Sequence, residues 1–143
     1  MSVTVGQKAR RSATLTAEHV RLYGQITGDY NPLHVDEAFA ASTRFGKLIV
    51  QGGLTSGLLN AIVAMDLPGP GTVFLETRWR FTNPVFIGDT ITAEVEILEV
   101  HPTKPVSCIG VRIVRSDGNT VLEGDAWCYT AKPVVAEASG ISA

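Results

Sequence analysis

The strongest constraint on the fold of this chain is residues 54–66, a segment that is apolar on almost every side. It predicts a helix, and a helix that is apolar all round has to be buried over most of its surface. The run Leu67-Pro68-Gly69-Pro70-Gly71 predicts a firm end to this helix. After residue 71 the pattern alternates with a period of two, which is typical of strands. We therefore expect a curved sheet wrapped around the helix.

Helices are predicted before this segment and strands after it. One helix is expected to be capped by Thr16 and ended by Gly28, and a short one, 37–42, to be capped by Asp36. In the short helix we expect Ala38, Phe39 and Ala41 to face inward. The first strand after the helix is predicted at 73–81, and its apolar face consists of Val73, Leu75, Thr77, Trp79 and Phe81. Further strands are predicted at 91–97, 106–115 and 120–130, and an early one near 9–15. This order indicates an α+β protein with helices on one face of an antiparallel sheet.

Composition limits the classes of protein that fit. A length of 143 residues, 45% of them hydrophobic, predicts a single domain, 1–143, with its own core and room for a buried subunit interface. The last residues, 134–143, are small and polar enough to predict a flexible tail. A net charge of −2 does not favour nucleic acid or an anionic membrane as partner. Residues 1–11 lack the apolar stretch of a signal peptide, so a cytoplasmic location is expected.

Two cysteines, Cys108 and Cys128, lie in apolar, strand-like runs. Their separation does not match metal-ligand spacing, and disulfides are rare in cytoplasmic proteins. We expect both to be reduced core residues.

The most informative motif for function is Thr-Gly-Asp-Tyr-Asn-Pro-Leu-His, residues 27–34. It places the carboxylate of Asp29, the amide of Asn31 and the imidazole of His34 close together in sequence, and Pro32 stiffens the backbone. We expect a rigid, non-helical turn on which a carboxylate and an imidazole hold one water molecule, as general acid–base chemistry requires. The alternative is ordinary turn chemistry, in which Asp and Asn side chains cap nearby amides.

A second candidate element, Gln51-Gly52-Gly53, stands directly before the apolar helix. A helix N-terminus offers unpaired N–H groups and a partial positive charge, and glycine lets a ligand oxygen approach the backbone. Such donors suit an oxyanion, although glycines before helices are also common caps. Together with the acid–base pair, they predict proton transfer next to a polarised carbonyl.

The run from Thr27 to Ala40 resembles the hydratase motif of the R-specific enoyl-CoA hydratases, in the MaoC-like dehydratase family. The likeness covers most of residues 15–130 and continues through Phe45-Gly46, 49–54, Leu67-Pro68-Gly69 and 84–89. It implies the hot dog fold, a sheet wrapped round a long central helix, in dimers or assemblies of dimers. It also implies addition of water to trans-2-enoyl thioesters to give (R)-3-hydroxyacyl thioesters, or the reverse, without a cofactor or a metal.

Carried over by position, the resemblance implies that Asp29 and His34 activate the water and that the Gly52 N–H polarises the thioester carbonyl. It implies that Asn31 supports the loop or the site. Which of Asp29 and His34 is formally the base stays open, because neighbouring groups titrate as a pair.

Further substrate-binding candidates surround these residues. Ser56 and Asn60 form a narrow polar stripe one helical turn apart. The family often has His in place of Gln51, Met in place of Gly53 and a small hydroxyl residue in place of Asn60. Gly53 is therefore expected to change pocket width, and Asn60 the fine geometry. Arg44 and Lys47 are candidates to meet the phosphates of coenzyme A, since an acidic protein needs a local basic patch for them.

Three alternatives remain open from the sequence. One is a dehydratase acting on acyl-carrier-protein thioesters, and another is a thioesterase, because fold alone does not determine function. The third is a non-catalytic subunit of a paired hydratase, which the intact motif disfavours.

Overall fold

The architecture is that of a computed structural model, which describes residues 2–134. In chain order the elements are β1 (Lys8–Thr14), α1 (Ala17–Thr27), α2 (Pro32–Val35), α3 (Glu37–Ala41), α4 (Gly52–Met65), β2 (Thr72–Phe81), β3 (Thr90–Val100), β4 (Val106–Arg115) and β5 (Thr120–Thr130). The strands form one antiparallel sheet in the order β1-β3-β4-β5-β2. The predicted strands are all present, including the early one.

The central helix α4 packs on the sheet, in contact with β1, β2 and β3. Its buried side chains Leu59, Ile62 and Val63 join the inward-facing aliphatic residues of the strands in one core. Full burial of such a side chain contributes roughly 1.5–3 kcal/mol, so this layer stabilises the arrangement strongly. The expected α+β hot dog fold is confirmed. The sheet covers one side of α4, however, and Asn60 and Met65 on another side are exposed.

The first helix, α1, begins and ends where the sequence predicts. The Thr16 side chain accepts a hydrogen bond from the His19 N–H, and His19 Nδ1 accepts one from the Thr16 N–H, which closes a capping box. At the other end Gly28 adopts a left-handed conformation with φ of 84°, which glycine reaches without steric cost. The chain then continues directly into the Asp29 segment.

The burial predicted for β2 is wrong: of the five side chains expected on its buried face, Trp79 alone is partly buried, and Thr77 and Phe81 are exposed as well as Val73 and Leu75. Val73 and Leu75 are 56% and 59% exposed, whereas Thr72 is buried and Phe74 packs against the core. The reason is an irregularity in the pairing with β5 between Phe74 and Glu76. A bulge adds one residue to one strand, so side chains before and after it alternate in opposite phase.

The orientation predicted for α3 is also wrong. Ala38, Phe39 and Ala41 are exposed, and within Glu37–Ala41 only Ala40 is buried. A helix of five residues makes little more than one turn, so a single side chain, Ala40, forms its buried contact with the rest of the protein.

The remaining fold-level expectations concern the cysteines and the tail. Cys108 and Cys128 are both free and buried, as predicted, and burial raises the pKa of the Cys128 thiol to about 12. In the part of the chain described, no helix is long and apolar enough to cross a membrane. The tail 134–143 lies outside the described residues except for Val134, which is exposed.

Candidate active site

The turn after α1 is built by two side chains that cap backbone amides. Asp29 Oδ1 accepts from the Asn31 N–H at 3.2 Å, and Asn31 Oδ1 accepts from the Leu33 N–H at 3.0 Å. Asn31 is thereby the N-cap of α2, with Pro32 at the first helical position. The expectation of a wholly non-helical turn is wrong for Pro32–Val35. Proline needs no hydrogen-bond partner at that position, and its fixed φ suits the start of a helix.

The short helix α2 places His34 in a buried position, 8% exposed. His34 Nδ1 lies 2.8 Å from the carbonyl oxygen of Ile49. A carbonyl oxygen only accepts, so Nδ1 carries the hydrogen and Nε2 is left with a lone pair in the neutral ring. His34 Nε2 in turn lies 3.8 Å from Asp29 Oδ2, whose side chain is 42% exposed. The structure therefore brings the predicted carboxylate–imidazole pair together, with the imidazole buried and the carboxylate partly exposed to solvent.

The N-terminus of α4 supplies hydrogen-bond donors. Gly52 and Gly53 occupy the first two positions of the helix, and Gln51 before them makes no side-chain cap. Within residues 2–134 their N–H groups have no hydrogen-bond acceptor. These free donors lie at the positive end of the dipole of a 14-residue helix, where negative charge is stabilised.

One cleft of about 310 Å³ brings the imidazole and the helix N-terminus together. Asp29 stands beside it, next to His34. Much of its wall is apolar, and its residues are His34, Arg44, Phe45, Ile49, Val50, Gly52, Thr55, Phe81, Thr82, Asn83, Pro84, Val85 and Val121. A larger depression, of about 550 Å³, lies among charged side chains on the sheet face opposite α4. It lacks an apolar wall, so the cleft at His34 is the better candidate for an organic substrate.

The other predicted binding residues divide between the cleft and its surroundings. Arg44 lines the cleft, with its guanidinium carbon 5.1 Å from the centre of the Phe45 ring. Lys47 lies instead over the Phe86 ring, with 4.5 Å from Nζ to the ring centre. Lys47 is not part of the cleft wall, and neither are the candidates on α4, Gly53, Ser56 and Asn60. Ser56 Oγ donates to the Gly53 carbonyl at 3.2 Å, and Asn60 is exposed.

Gly53 does not widen the pocket, because another side chain takes the space. A Cβ added to Gly53 would lie 1.8 Å from the Tyr23 hydroxyl oxygen, so α1 packs directly on the glycine backbone. This contact joins α1 to the start of α4. The local sequence does not predict the contact between Tyr23 and Gly53, since the two residues are far apart in the chain.

Sequence reasoning named Gln51 but did not predict its burial, and it missed Thr55, a second buried polar residue at the start of α4. Gln51 is 1% exposed, and its Nε2 donates to the Val20 carbonyl at 3.0 Å. Thr55 is 2% exposed and lines the cleft one helical turn after Gly52. The spacing of three between Gly52 and Thr55 was the available signal, because such residues share one helix face.

The fold and this cleft define a hot dog protein with a carboxylate–imidazole pair beside a helix N-terminus. The family model for the MaoC like domain matches residues 2–118. The (R)-specific enoyl-CoA hydratase of Aeromonas caviae is 40% identical over 125 residues, which are 87% of this chain and 93% of that protein. The chain belongs to the MaoC-like family.

Two further similarities agree in fold and sequence. A solved structure described as an (R)-hydratase from A. caviae involved in PHA biosynthesis matches with a TM-score of 0.87 and 38% identity, over 91% of this chain and 98% of that one. The 3-hydroxybutyryl-CoA dehydratase of Methylorubrum extorquens is 39% identical over 104 residues, which are 73% of this chain and 66% of that protein.

Proposed function

We propose that the protein is a hydro-lyase that hydrates trans-2-enoyl-CoA to (R)-3-hydroxyacyl-CoA, or catalyses the reverse dehydration. The observation that carries the proposal is the pairing of His34 Nε2 with Asp29 Oδ2, 3.8 Å apart, beside the cleft that holds the free Gly52 N–H. The similarity to an (R)-specific enoyl-CoA hydratase of A. caviae and a 3-hydroxybutyryl-CoA dehydratase of M. extorquens supports the same reaction class.

The pair is arranged to hold a water molecule. The Ile49 carbonyl fixes the hydrogen on Nδ1, so Nε2 and Asp29 Oδ2 are two acceptors separated by 3.8 Å. One water oxygen at about 2.8 Å from each would donate both of its O–H groups, one to each acceptor. Its remaining lone pairs then point away from the protein, toward the β-carbon of a bound enoyl group.

Addition of that water moves charge onto the thioester. The water oxygen bonds to Cβ, the π electrons of the double bond move toward the carbonyl, and Asp29 takes the released proton. The Gly52 N–H stabilises the enolate oxygen, a type of interaction worth roughly 10²–10³ in rate per donor in other enzymes. Asp29 then returns the proton to Cα, and His34 orients the water throughout. Atoms and charge balance without a cofactor.

The carrier of the acyl group would lie outside the cleft. A cleft of about 310 Å³ holds a short acyl group and its thioester, and the nucleotide part of coenzyme A has to remain at the surface. Arg44 on the cleft wall supports this placement, because a guanidinium there meets the phosphates. Lys47, three residues on, is the second candidate for the same task.

We propose that two copies associate through β2. This strand is an edge of the sheet, and Val73, Leu75 and Phe81 on it are exposed. An edge strand with exposed apolar side chains is an interaction surface unless it is covered. The opposite edge, β1, carries Lys8, Arg10 and Arg11 instead, so the pairing surface is β2.

The experiment that tests the function is an assay of the purified chain with crotonyl-CoA. Hydration removes the conjugated enoyl absorbance and releases no thiol, and chiral analysis of the product should give the (R)-3-hydroxybutyryl thioester. Thiol release without hydration would identify a thioesterase and contradict the proposal. Comparing crotonyl-CoA with crotonyl acyl carrier protein determines the carrier, and a rate on the protein-bound substrate far above that on crotonyl-CoA would favour the dehydratase alternative.

A further inference from the structure

The start of α4 contains two buried polar atoms whose needs are complementary. Gln51 Oε1 and Thr55 Oγ1 are enclosed, and within residues 2–134 neither has a hydrogen-bond partner. The first is an acceptor, and the second is a hydroxyl that donates as well as accepts. A buried polar atom without a hydrogen bond lowers the stability of the folded state, so each of these two atoms is expected to have a partner.

Their spacing makes each the natural partner of the other. Gln51 is the N-cap of α4, and the Thr55 N–H donates to the Gln51 carbonyl at 3.1 Å, so the backbone joins the two residues across the first turn of the helix. A threonine in a helix has two accessible χ1 rotamers, so its hydroxyl can turn without any change in the backbone. A single buried water with these two partners would link them equally well.

We propose that Gln51 and Thr55 form one hydrogen-bonded unit, direct or through one water, that positions the Gly52 N–H for the reaction. The proposal rests on the proposed function for its catalytic part. Gln51 Nε2 donates to the Val20 carbonyl of α1. A hydrogen bond from Thr55 to Gln51 Oε1 would then connect α1 to α4 through the residues before and after Gly52. Thr55 also lines the cleft, which connects the unit to the substrate. Both residues are positioning residues, since they act through the Gly52 amide.

The first test is a double-mutant cycle on stability with Gln51→Met and Thr55→Val, two substitutions that keep size and remove hydrogen bonding. If the unit exists, Thr55→Val raises the equilibrium constant for unfolding about fivefold or more, because it leaves the buried Gln51 Oε1 without a hydrogen-bond donor. In the Gln51→Met background the same change should have no effect or stabilise. A Thr55→Val variant more stable than the wild type would show that the hydroxyl is unpaired and would overturn the proposal.

The second test separates positioning from a purely structural role. With crotonyl-CoA, Thr55→Val should lower kcat about three- to tenfold and leave KM nearly unchanged, because the enolate oxygen gains most from the Gly52 N–H in the transition state. Thr55→Ser, which keeps the hydroxyl, should restore kcat. Thr92→Val, the same change on the outer side of β3, should leave kcat unaffected. If the double-mutant cycle shows that Gln51 and Thr55 are coupled in stability but Thr55→Val has the wild-type kcat, the positioning role is refuted.

These two tests also separate this proposal from the proposed function. A wild-type chain that hydrates no enoyl thioester would contradict the function, and the stability cycle would still decide whether the pair exists. A chain that hydrates normally but shows no coupling would contradict the pair alone.

Discussion

Among the described residues, the His34 side chain makes one hydrogen bond, and that bond determines what the ring presents to the cleft. Nδ1 donates to the Ile49 carbonyl at 2.8 Å, so Nε2 is free to accept from water. The Ile49 N–H in turn donates to the Leu33 carbonyl at 3.0 Å, which fixes Ile49 against α2. The orientation of the imidazole therefore depends on a backbone contact between α2 and the segment before α4, which no local motif encodes.

The Gly52 amide offers a sharp test at the same scale, because proline can replace glycine there. Gly52 is the first helical residue, and Gln51 before it has ψ of 137°, the extended value that a residue preceding proline prefers. Gly52→Pro thus removes the N–H with little change in the backbone. We expect kcat for crotonyl-CoA hydration to fall by roughly 10²–10³.

Gly52→Ala is the matched control for this substitution. It adds a Cβ that would lie 3.1 Å from the edge of the Phe81 ring, so the ring has to yield by only a few tenths of an ångström, and it keeps the N–H. The alanine variant should retain most of the activity. Equal losses in the two variants would mean that bulk at this position, and not the missing donor, lowers the rate.

At the scale of elements, α2 is the part of the site whose existence depends on one cap. This helix has four residues, and Asn31 Oδ1 satisfies its Leu33 N–H. Asn31→Ala should lower the free energy of unfolding by about 1 kcal/mol and also lower kcat, because His34 is carried by this turn. Denaturant unfolding and crotonyl-CoA kinetics measure the two effects. Asn31→Ser keeps a capping oxygen and should recover both; a serine variant as impaired as the alanine one would argue for a direct role of the amide.

The elements also show what sequence reasoning reaches and where it ends. Strand periodicity, the Thr16 cap and the Gly28 stop were visible because each depends on neighbours within a few residues. The bulge in β2 was not, since it arises in the pairing with β5. In the site, Asp29, His34 and Gly52 were named from a motif and a helix start, while the Tyr23 contact on Gly53 joins distant segments. The failures at β2 and Gly53 are therefore failures of long-range packing, whereas the helical turn at Pro32 and the cleft position of Thr55 had local signals in the sequence.

For the whole molecule, the open question is how the exposed β2 edge is covered. Val73 and Leu75 are exposed because of the bulge, and burying such side chains in a dimer removes apolar surface from water at about 25 cal/mol per Å². We predict that the double substitution Val73→Lys and Leu75→Lys converts a dimer into a monomer in light scattering coupled to size exclusion. Ser12→Lys on the opposite edge strand should leave the dimer intact. A wild-type chain that is monomeric at micromolar concentration would contradict the β2 interface.

The central claim is that one carboxylate and one imidazole, carried on the turn between α1 and α3, activate the water that adds to an enoyl thioester. The most direct measurement is kcat/KM for crotonyl-CoA in the wild type, Asp29→Asn and His34→Ala, with circular dichroism to verify folding. Each substitution should reduce kcat/KM by about a hundredfold or more, the scale of lost acid–base catalysis. Folded variants that both hydrate crotonyl-CoA at nearly the wild-type rate would contradict it.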